Sequence, residues 1–379
     1  MRIVIDARLY GTKHTGNGRY TMNLVENLVE IDKQSLASKT GKKNKYFILL
    51  RKEDYDELKF PANWTKVLAD FRHYTFSEQF RLPFILYKLK PDIVHFPHFN
   101  VPILYIGKYI VTIHDLIMHK SRGGEATTRP FPIYQIWRLG YYISFAMAVY
   151  GSKKIIVPTN TVKKDLMGYY KISDLKVVVT YEGIDERGQQ IDFNSKGLGK
   201  YFSYVGNAYP HKNLERLINA LAVFNKGRKE KVNLAISSAR NVFTQRLLDI
   251  AKKYDIEKNV KLLGYVPDNQ LLSFYNKSIA FFYPTLIEGF GLPGLEAMRA
   301  GTLVYSSDIP VLKEIYDGSV SYFDPFEVGS MVDSMERALK INSKERESII
   351  KRAKEYISKY SWKKMARETL EVYNSTNGI

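Results

Sequence analysis

The residues with the clearest chemical potential lie in a glycine-rich stretch, YPTLIEGFGLPGLEAM, at positions 283–298. The stretch follows an apolar run that predicts a buried strand, and Pro293 suits the first position of a helix, where its missing N–H costs nothing. The N–H groups of Phe290, Gly291 and Leu292 would then open this helix and point outward. Because amides at a helix start bind anions, the pattern predicts a site for a diphosphate.

Two glutamates flank this predicted turn. Glu288 lies in the loop just before the helix, and Glu296 lies one turn into it. Carboxylates accept hydrogen bonds from sugar hydroxyls, so the arrangement predicts that sugars are held beside the diphosphate. The alternative is a structural glycine turn with one surface glutamate and a helix cap.

The stretch resembles the motif of retaining glycosyltransferases of family 4, E-G-F-G-L-P-x-x-E, in which the two glutamates stand eight positions apart. The similarity extends over essentially the whole chain. It implies an α/β architecture of the GT-B type: two Rossmann-like, doubly wound domains face each other across a cleft, and the C-terminal one holds most of the sugar nucleotide. It also implies that Glu296 binds the ribose, that Glu288 lies near the donor sugar, and that the amides of Phe290 to Leu292 hold the diphosphate.

A lysine occupies a strand-to-helix turn in the segment VGNAYPHKN, residues 205–213. Lys212 can neutralise phosphate oxygens there and stabilise a nucleoside diphosphate as it leaves. The resemblance supports this role and also exposes a departure, since relatives usually carry an arginine at the position of Asn207 or of His211. One phosphate contact is therefore missing, supplied from elsewhere in the chain, or made by His211.

A histidine follows an apolar strand in the segment YIVTIHD, residues 109–115. Ligands of open α/β sheets bind at the carboxyl ends of the strands, so His114 is placed to bond a sugar hydroxyl or to manage a proton near neutral pH. The matching position in similar enzymes lies beside the donor sugar, and we assign His114 a catalytic role on that basis. Its neighbour Asp115 is assigned to the acceptor side. The alternative is a packed histidine whose hydrogen bonds are satisfied internally.

A second glycine-containing loop, TGNGRY at residues 15–20, follows the first predicted strand and precedes a helix predicted over residues 20–30. Gly16 and Gly18 would let the backbone approach a ligand at the helix start, although Gly-x-Gly alone is a weak pattern. In similar enzymes this loop covers the donor phosphates and touches the acceptor. Arg19 would then supply the cation that is lacking near Asn207.

Three further positions match the family. Val266, in Gly264-Tyr265-Val266, resembles the loop that contacts the nucleotide base through its backbone. Glu314 matches a glutamate common in the family and is expected at least to support its helix. Ser361-Trp362 begins a terminal helix that crosses back to the first domain in GT-B enzymes.

The elements that must position these residues alternate in type along the chain. Short apolar, β-branched runs predict strands covered on both faces, and longer amphipathic runs between them predict helices. The predicted strands are Arg2–Asp6, Tyr46–Leu50, Lys66–Ala69, Asp92–Phe96, Tyr109–Ile113, Lys154–Pro158, Lys176–Thr180, Tyr201–Gly206, Val232–Ser237, Asn259–Leu262, Ile279–Tyr283, Thr302–Ser306 and Val320–Phe323. This alternation implies parallel sheets in doubly wound domains. The polar, glycine-rich segment 182–200 predicts a linker, which gives an N-terminal domain over residues 1–183, joined by the returning helix 361–379, and a C-terminal domain over residues 200–360.

Composition excludes several classes of protein. With 379 residues, 45% of them hydrophobic and 25% charged, the chain is not disordered, collagen-like or fibrous. It has no cysteine, which excludes disulfide scaffolds, cysteine nucleophiles and Cys-ligated zinc. The N-terminus reads as a strand and not as a signal peptide. The net charge of +18 attracts polyanions, yet no nucleic-acid recognition motif accompanies it, so we expect no nucleic acid as a partner.

These observations predict a retaining hexosyltransferase. It would move a sugar, mannose or another hexose, from a GDP-sugar or UDP-sugar to a hydroxyl of a glycan or lipid-linked acceptor in the assembly of cell-surface polysaccharide or glycoconjugate. The sugar nucleotide is a substrate, and we expect no cofactor and no metal ion. The alternatives are another GT-B enzyme, such as a sugar-nucleotide epimerase or an inverting transferase, and a basic nucleic-acid-binding protein on a doubly wound scaffold.

The segment FSEQFRLPFILYKLK, residues 76–90, combines aromatic and basic residues as a membrane-surface helix does. Internal packing of this helix is the alternative, and Pro83 argues against a continuous helix. We predict a cytoplasmic protein and leave open its peripheral contact with the inner face of an anionic membrane.

Overall fold

A computed structural model describes residues 1–37, 44–120, 131–184, 190–239 and 242–376. The chain divides into two compact α/β units: residues 1–116, 129–183 and 360–379 form the first, and residues 117–128 and 184–359 form the second. The assignment of residues 117–120 to the second unit was not indicated by the sequence pattern. Within the described ranges, every helix is too short or too polar to cross a membrane.

The first unit is built on a seven-stranded parallel sheet. Its strands are β1 (Arg2–Asp6), β2 (Lys45–Leu50), β3 (Trp64–Leu68), β4 (Ile93–Phe96), β5 (Tyr109–Thr112), β6 (Lys154–Val157) and β7 (Val177–Val179). The strand order is β3-β2-β1-β4-β5-β6-β7, the doubly wound order, and Val4 of β1 lies opposite Phe47 and Val94 of the adjacent strands. Helices on both faces bury the inner residues of the central strands, which explains why these strands are mostly apolar on consecutive positions.

Seven helices of the described chain accompany this sheet or follow it in sequence. They are α1 (Thr15–Ala37), α2 (Lys52–Glu57), α3 (Phe76–Leu89), α4 (Ile117–Lys120), α5 (Phe131–Gly151), α6 (Asn160–Tyr170) and the C-terminal α14 (Trp362–Thr376). Of these, α4 belongs to the second unit and α14 to the first. Tyr373 of α14 shares a hydrogen bond of 2.6 Å with Nδ1 of His95 in β4, and the ring of Trp362 meets Tyr20 of α1 edge to face.

The second unit repeats the same topology with six strands. These are β8 (Tyr201–Val205), β9 (Asn233–Ser237), β10 (Val260–Gly264), β11 (Phe281–Tyr283), β12 (Val304–Ser307) and β13 (Ser321–Phe323), in the order β10-β9-β8-β11-β12-β13. Its remaining helices are α7 (Leu214–Asn225), α8 (Val242–Lys253), α9 (Asp268–Asn276), α10 (Leu292–Arg299), α11 (Pro310–Tyr316), α12 (Val328–Lys340) and α13 (Ser343–Ile357). Every strand predicted from the sequence is present, with its ends within two residues of the predicted ones.

The prediction of a loop at residues 15–20 is wrong. Helix α1 begins at Thr15 instead of Tyr20, so that Gly16, Gly18 and Arg19 lie in its first turns. A Cβ added at Gly18 would lie only 2.2 Å from the carbonyl oxygen of Gly11. Glycine is therefore required because the start of the helix packs directly on the preceding turn.

Two other expectations need correction. Helix α3 is continuous through Pro83, whose face of the helix is buried together with Leu82 and Leu86, so packing outweighs the lost backbone hydrogen bond. The predicted linker is partly structured: Phe193 is buried and its ring meets Phe274 edge to face at 5.1 Å. Residues 190–200 thus pack on the second unit, and residues 185–189 of that segment lie outside the described residues.

Candidate functional site

The best candidate site of the second unit lies where its strand order reverses. Strand β9 flanks β8 on one side and β11 flanks it on the other, so the loops that leave the carboxyl ends of β8 and β11 run apart. Open α/β sheets bind ligands at such a point. These two loops carry residues of two segments that the sequence singled out, 205–213 and 283–298.

A buried ion pair occupies this position. Lys212 ends the 3-10 turn Pro210–Lys212, and its Nζ forms a salt bridge with Oε1 of Glu288. The hydroxyl of Tyr283 donates to the same carboxylate oxygen at 2.6 Å, and the lysine Nζ lies 5.6 Å from the centroid of the tyrosine ring. Each charged side chain is only 10% exposed. The structure therefore brings together two of the three residues to which the sequence assigned catalytic roles.

The electrostatics of the pair keep Glu288 ionised. Burial alone would raise the pKa of its carboxyl group, but the charge of Lys212 and the hydrogen bonds from Lys212 and Tyr283 outweigh burial and lower that pKa. A carboxylate can only accept hydrogen bonds, which is the role required for holding sugar hydroxyls. An incoming diphosphate would have to share Lys212 with this carboxylate.

Hydrogen bonds between the two loops fix the geometry of the pair. The buried Asn213, in the left-handed conformation with φ of 59°, donates to the carbonyl oxygens of Pro284 at 3.1 Å and Pro325 at 2.7 Å. The N–H of Leu286 donates to the carbonyl of His211 at 2.8 Å. Lys212 is therefore flanked by two residues that are hydrogen-bonded to the segment just before Glu288.

The structure has a glycine turn at the start of α10, where the sequence predicted anion binding, and that binding stays a prediction. Gly291 is its N-cap with φ of 103°, and Phe290, Gly291 and Leu292 open the helix. The hydroxyl of Tyr316 donates to the carbonyl of Gly291, and a Cβ on Gly291 would lie 2.6 Å from that hydroxyl oxygen. Glycine at this position is thus demanded by the positive φ and by the tyrosine packed beneath the turn.

Two nucleotide-binding candidates lie near this helix and at the neighbouring strand ends. Glu296 is half-buried in α10, and its Oε2 accepts a hydrogen bond of 3.3 Å from the hydroxyl of Tyr275. Val266 follows β10, and its N–H donates to Oγ of Ser237 at 3.3 Å. Because that amide is engaged inside the unit, any base contact by the backbone of Val266 has to use its carbonyl group.

Neither of the two positions at which relatives usually carry the arginine, Asn207 and His211, holds a cation at neutral pH. Burial, followed by the nearby charge of Lys212, lowers the pKa of His211 to about 4, so its imidazole is neutral at pH 7. It can donate one hydrogen bond to a phosphate but adds no charge. Asn207 is exposed after β8, with its carbonyl accepting from the hydroxyl of Tyr204 at 2.8 Å. Arg19 belongs to the first unit, and its assignment to the phosphates stays a prediction.

In the first unit, His114 is held through both ring nitrogens. Its Nε2 donates to the carbonyl of Pro97 at 2.9 Å, and its Nδ1 lies 3.3 Å from Oε1 of Glu182. Burial would lower the pKa of His114, but the hydrogen bond and charge of Glu182 and the Pro97 carbonyl outweigh it and raise that pKa. This is the internally bonded arrangement that the sequence left as an alternative, and the catalytic role of His114 stays a prediction. Asp115, beside it, is half-buried.

Sequence reasoning missed an ion network at the corresponding reversal of the first sheet, between β1 and β4. Arg8 is fully buried, and its guanidinium binds Asp6 at 2.6 Å and Glu78 at 2.7 Å. The side chain of Asn100 donates to the other oxygen of Glu78 at 2.8 Å. Burial would raise the pKa of Asp6 but the contacts of Arg8 lower it, whereas burial prevails at Glu78 and raises its pKa. The available signal was a pair of opposite charges directly after a buried strand.

The described part of the chain contains no cluster of three or more side chains able to hold a metal ion. Its Asp54-Tyr55-Asp56 triplet has the spacing of a metal motif, but it lies within α2. There Asp54 binds Lys13 at 3.2 Å and Asp56 binds Lys52 at 3.4 Å. Its carboxylates are therefore paired with lysines.

Two doubly wound α/β units, with a lysine–carboxylate site and a glycine-opened helix at the sheet edge of the second, define a glycosyltransferase of the GT-B type. The family profile described as Glycosyltransferase Family 4 matches residues 16–187, and that described as Glycosyl transferases group 1 matches residues 187–356. The chain belongs to this family of glycosyltransferases.

Curated relatives and solved structures agree with this assignment. The chain is 28% identical over 271 residues to the O-antigen chain mannosyltransferase RfbU of Salmonella typhimurium, covering 71% of this chain and 69% of RfbU. It is 25% identical over 293 residues to the serotype-specific mannosyltransferase WbdA of Escherichia coli, covering 73% of this chain but only 34% of WbdA.

Two crystal structures share its fold over nearly the full length. WaaG, a glycosyltransferase involved in lipopolysaccharide biosynthesis, superposes with a TM-score of 0.70 at 16% identity, covering 98% of this chain and 99% of WaaG. HepE of Anabaena, solved in complex with UDP and glucose, superposes with a TM-score of 0.73 at 12% identity, covering 99% of this chain and 100% of HepE.

Proposed function

We propose that this chain is a retaining, metal-independent hexosyltransferase in the assembly of cell-surface polysaccharide or glycoconjugate. It takes a hexose from a GDP- or UDP-linked donor and transfers it to a hydroxyl of a glycan or lipid-linked acceptor. The observation that carries the proposal is the buried cluster of Lys212, Glu288 and Tyr283 beside the first turn of α10. Family membership disfavours the nucleic-acid-binding alternative, and the mannosyltransferase relatives favour mannose as the sugar.

Both charged side chains of the cluster, Lys212 and Glu288, have a role in the proposed reaction. As the bond between the anomeric carbon and the diphosphate oxygen breaks, negative charge grows on the diphosphate and positive charge grows on the sugar. Lys212 and the amides at residues 290–292 face the first of these charges, and the ionised Glu288 faces the sugar and accepts from its hydroxyls. The low exposure of the pair strengthens these interactions, because less water competes for them.

A screen of sugar nucleotides tests the proposal without a known acceptor. Purified protein is mixed with GDP-mannose, UDP-glucose and UDP-N-acetylglucosamine, and thermal stabilisation and slow donor hydrolysis are recorded. We expect one nucleotide series to stabilise the protein and one sugar in that series to be hydrolysed. If neither GDP nor UDP stabilises the protein, the assignment of the site is wrong.

Retention and metal independence need separate measurements. Once an acceptor is found, the coupling constant of the anomeric proton in the product shows whether the configuration of the donor is kept, and an inverted product contradicts the retaining mechanism. Turnover in excess EDTA should equal turnover in added Mg²⁺. Loss of turnover in the chelator, restored by a divalent cation, would overturn that part of the proposal.

We also propose that the enzyme works in the cytoplasm as a peripheral protein at the inner face of a membrane, where a lipid-linked acceptor is held. The support comes from the surface of the first unit, described next.

A further inference from the structure

Helix α3 presents an unusual stripe of aromatic side chains to solvent. Phe76 is 87% exposed and Phe84 71%, and Phe80 and Tyr87 are exposed between and beyond them. At 3.6 residues per turn these four positions fall within about 80° of arc and extend over about 16 Å of helix. Leu82 and Leu86 are buried on the side of the helix away from the stripe, so α3 is fixed to the unit while its aromatic stripe stays outside. Monomeric soluble proteins rarely leave such a contiguous apolar surface uncovered.

The loop between β4 and β5 continues this stripe. Ile106 is 90% exposed, and Ile103 and Leu104 are exposed beside it. The hydroxyl of Tyr87 donates to the carbonyl of Leu104 at 3.1 Å and accepts from the N–H of Ile106 at 3.0 Å. An open groove of about 400 Å³ extends from this loop to α5. We call the exposed residues 76, 80, 84, 87, 103, 104 and 106 the α3 face.

The exposed charged residues of α3 and its C-cap have one sign. Arg81 and Lys88 are exposed along one side of the aromatic stripe, and Lys90 caps the helix. The one acidic residue of α3, Glu78, is fully buried and bound to Arg8. Aromatic and aliphatic side chains bordered by cations match the boundary between the headgroups and acyl chains of an anionic bilayer.

We propose that the α3 face docks on an anionic membrane surface, with α3 lying in the plane of the interface. The inference rests on the proposed function in one respect, namely that a lipid-linked acceptor gives the docking its purpose. The aromatic stripe ends at Phe76, close to the carboxyl edge of the first sheet. Two residues earlier, the hydroxyl of Tyr74 lies 3.4 Å from the ring nitrogens of His98, which follows β4. A headgroup in the interface would therefore meet the protein at the same sheet edge as Asp115.

Backbone geometry at Tyr74 supports the same placement. This residue has φ of 60°, an unfavourable conformation for a non-glycine residue, and its N–H donates to Glu78 at 2.7 Å. Glu78 is held in turn by Arg8, so the buried ion network positions an exposed tyrosine at the end of the stripe.

Vesicle flotation tests the proposal on the full chain. Wild type is mixed with vesicles of phosphatidylcholine alone and of phosphatidylcholine with phosphatidylglycerol, at low and high salt. The test variant is Phe80→Ser/Phe84→Ser, the charge variant is Arg81→Gln/Lys88→Gln, and the control is Leu175→Ser, which removes another highly exposed apolar side chain of the same unit. We expect wild type and control to float with the anionic vesicles, and both test variants to bind at least about tenfold more weakly.

Three outcomes overturn the proposal. The first is that wild type floats with neither kind of vesicle. The second is that the Phe80→Ser/Phe84→Ser variant floats as well as wild type. The third is that wild type sediments as an oligomer and this variant as a monomer, which makes the face an interface between protein copies. Thermal stabilisation by GDP and UDP is recorded for every variant, and the phenylalanine variant should keep it. If wild type binds the vesicles but is not stabilised by GDP or UDP, the result counts against the proposed function and leaves the membrane proposal standing.

Discussion

Replacing Lys212 by methionine separates the charge of this side chain from its volume. In the structure the lysine faces Glu288 in a nearly dry position, so its ammonium group is a fixed donor with little water to replace it. Removing one such donor from an active site raises the barrier by about 3–4 kcal/mol, which corresponds to a loss of about 10²–10³ in turnover. We therefore expect Lys212→Met to lower kcat at least about a hundredfold.

The structure predicts a second consequence of the same change. Without Lys212, burial prevails over the remaining hydrogen bond from Tyr283, and the pKa of Glu288 should rise. Leaving one partner of a buried pair uncompensated also costs about 3–5 kcal/mol of stability. The double variant Lys212→Met/Glu288→Gln removes that isolated charge, so it should regain stability without regaining turnover.

The assay follows release of nucleoside diphosphate at saturating donor, at a temperature where circular dichroism shows every variant to be folded. The matched control is Lys277→Met, which removes another lysine of the second unit that is paired with a carboxylate, that of Asp192 at 2.7 Å. It should turn over at the wild-type rate. A folded Lys212→Met enzyme with near-wild-type kcat would refute the assignment of Lys212 to the leaving group.

Three further predictions concern single residues. Because Glu182 raises the pKa of His114, this pair stabilises the fold fully below the ordinary histidine pKa of about 6.5 and loses its effect as the pH rises through the raised pKa. Glu182→Gln should flatten the dependence of Tm on pH over this window, and an unchanged dependence would contradict the coupling. Gly291→Ala should lower the free energy of unfolding by about 2–3 kcal/mol, because residue 291 has a positive φ and an added Cβ would meet the hydroxyl of Tyr316. Gly16→Ala is the control, since a Cβ at residue 16 meets open space and should not lower this free energy. Urea titration of both variants measures the difference. His211→Gln should leave the shape of the pH–kcat profile unchanged between about pH 6 and 8, since the pKa of His211 is about 4. If the variant lost an inflection that wild type shows in that range, this histidine would titrate there and the reasoning would be wrong.

The strands could be predicted because the inner strands of both sheets share one environment. Each inner strand of a doubly wound sheet is covered on both faces, so a run such as Tyr109–Thr112 consists of aromatic and β-branched residues and is buried at every position. The residues that follow β8 and β11 could be assigned to one site because their motifs resemble those of the family, and the reversal of the strand order explains why the two loops meet.

The errors arose where packing against another part of the chain decides the local structure. Gly16 and Gly18 read as a loop, but the carbonyl of Gly11 packed against Gly18 explains why a helix needs glycine there. Pro83 read as a helix breaker, but burial of its face keeps α3 intact. The pairing of Arg8 with Glu78 joins residues seventy positions apart, and no local pattern contains that information.

The placement of α14 affects the order in which the chain can be completed on the ribosome. The first unit lacks the helix that carries Trp362 and Tyr373 until nearly all of the other described residues have been translated. Most of the second unit, residues 184–359, emerges before that helix does. The half made first is therefore finished last, because the side of α1 that packs against α14 is covered only once α14 has been made.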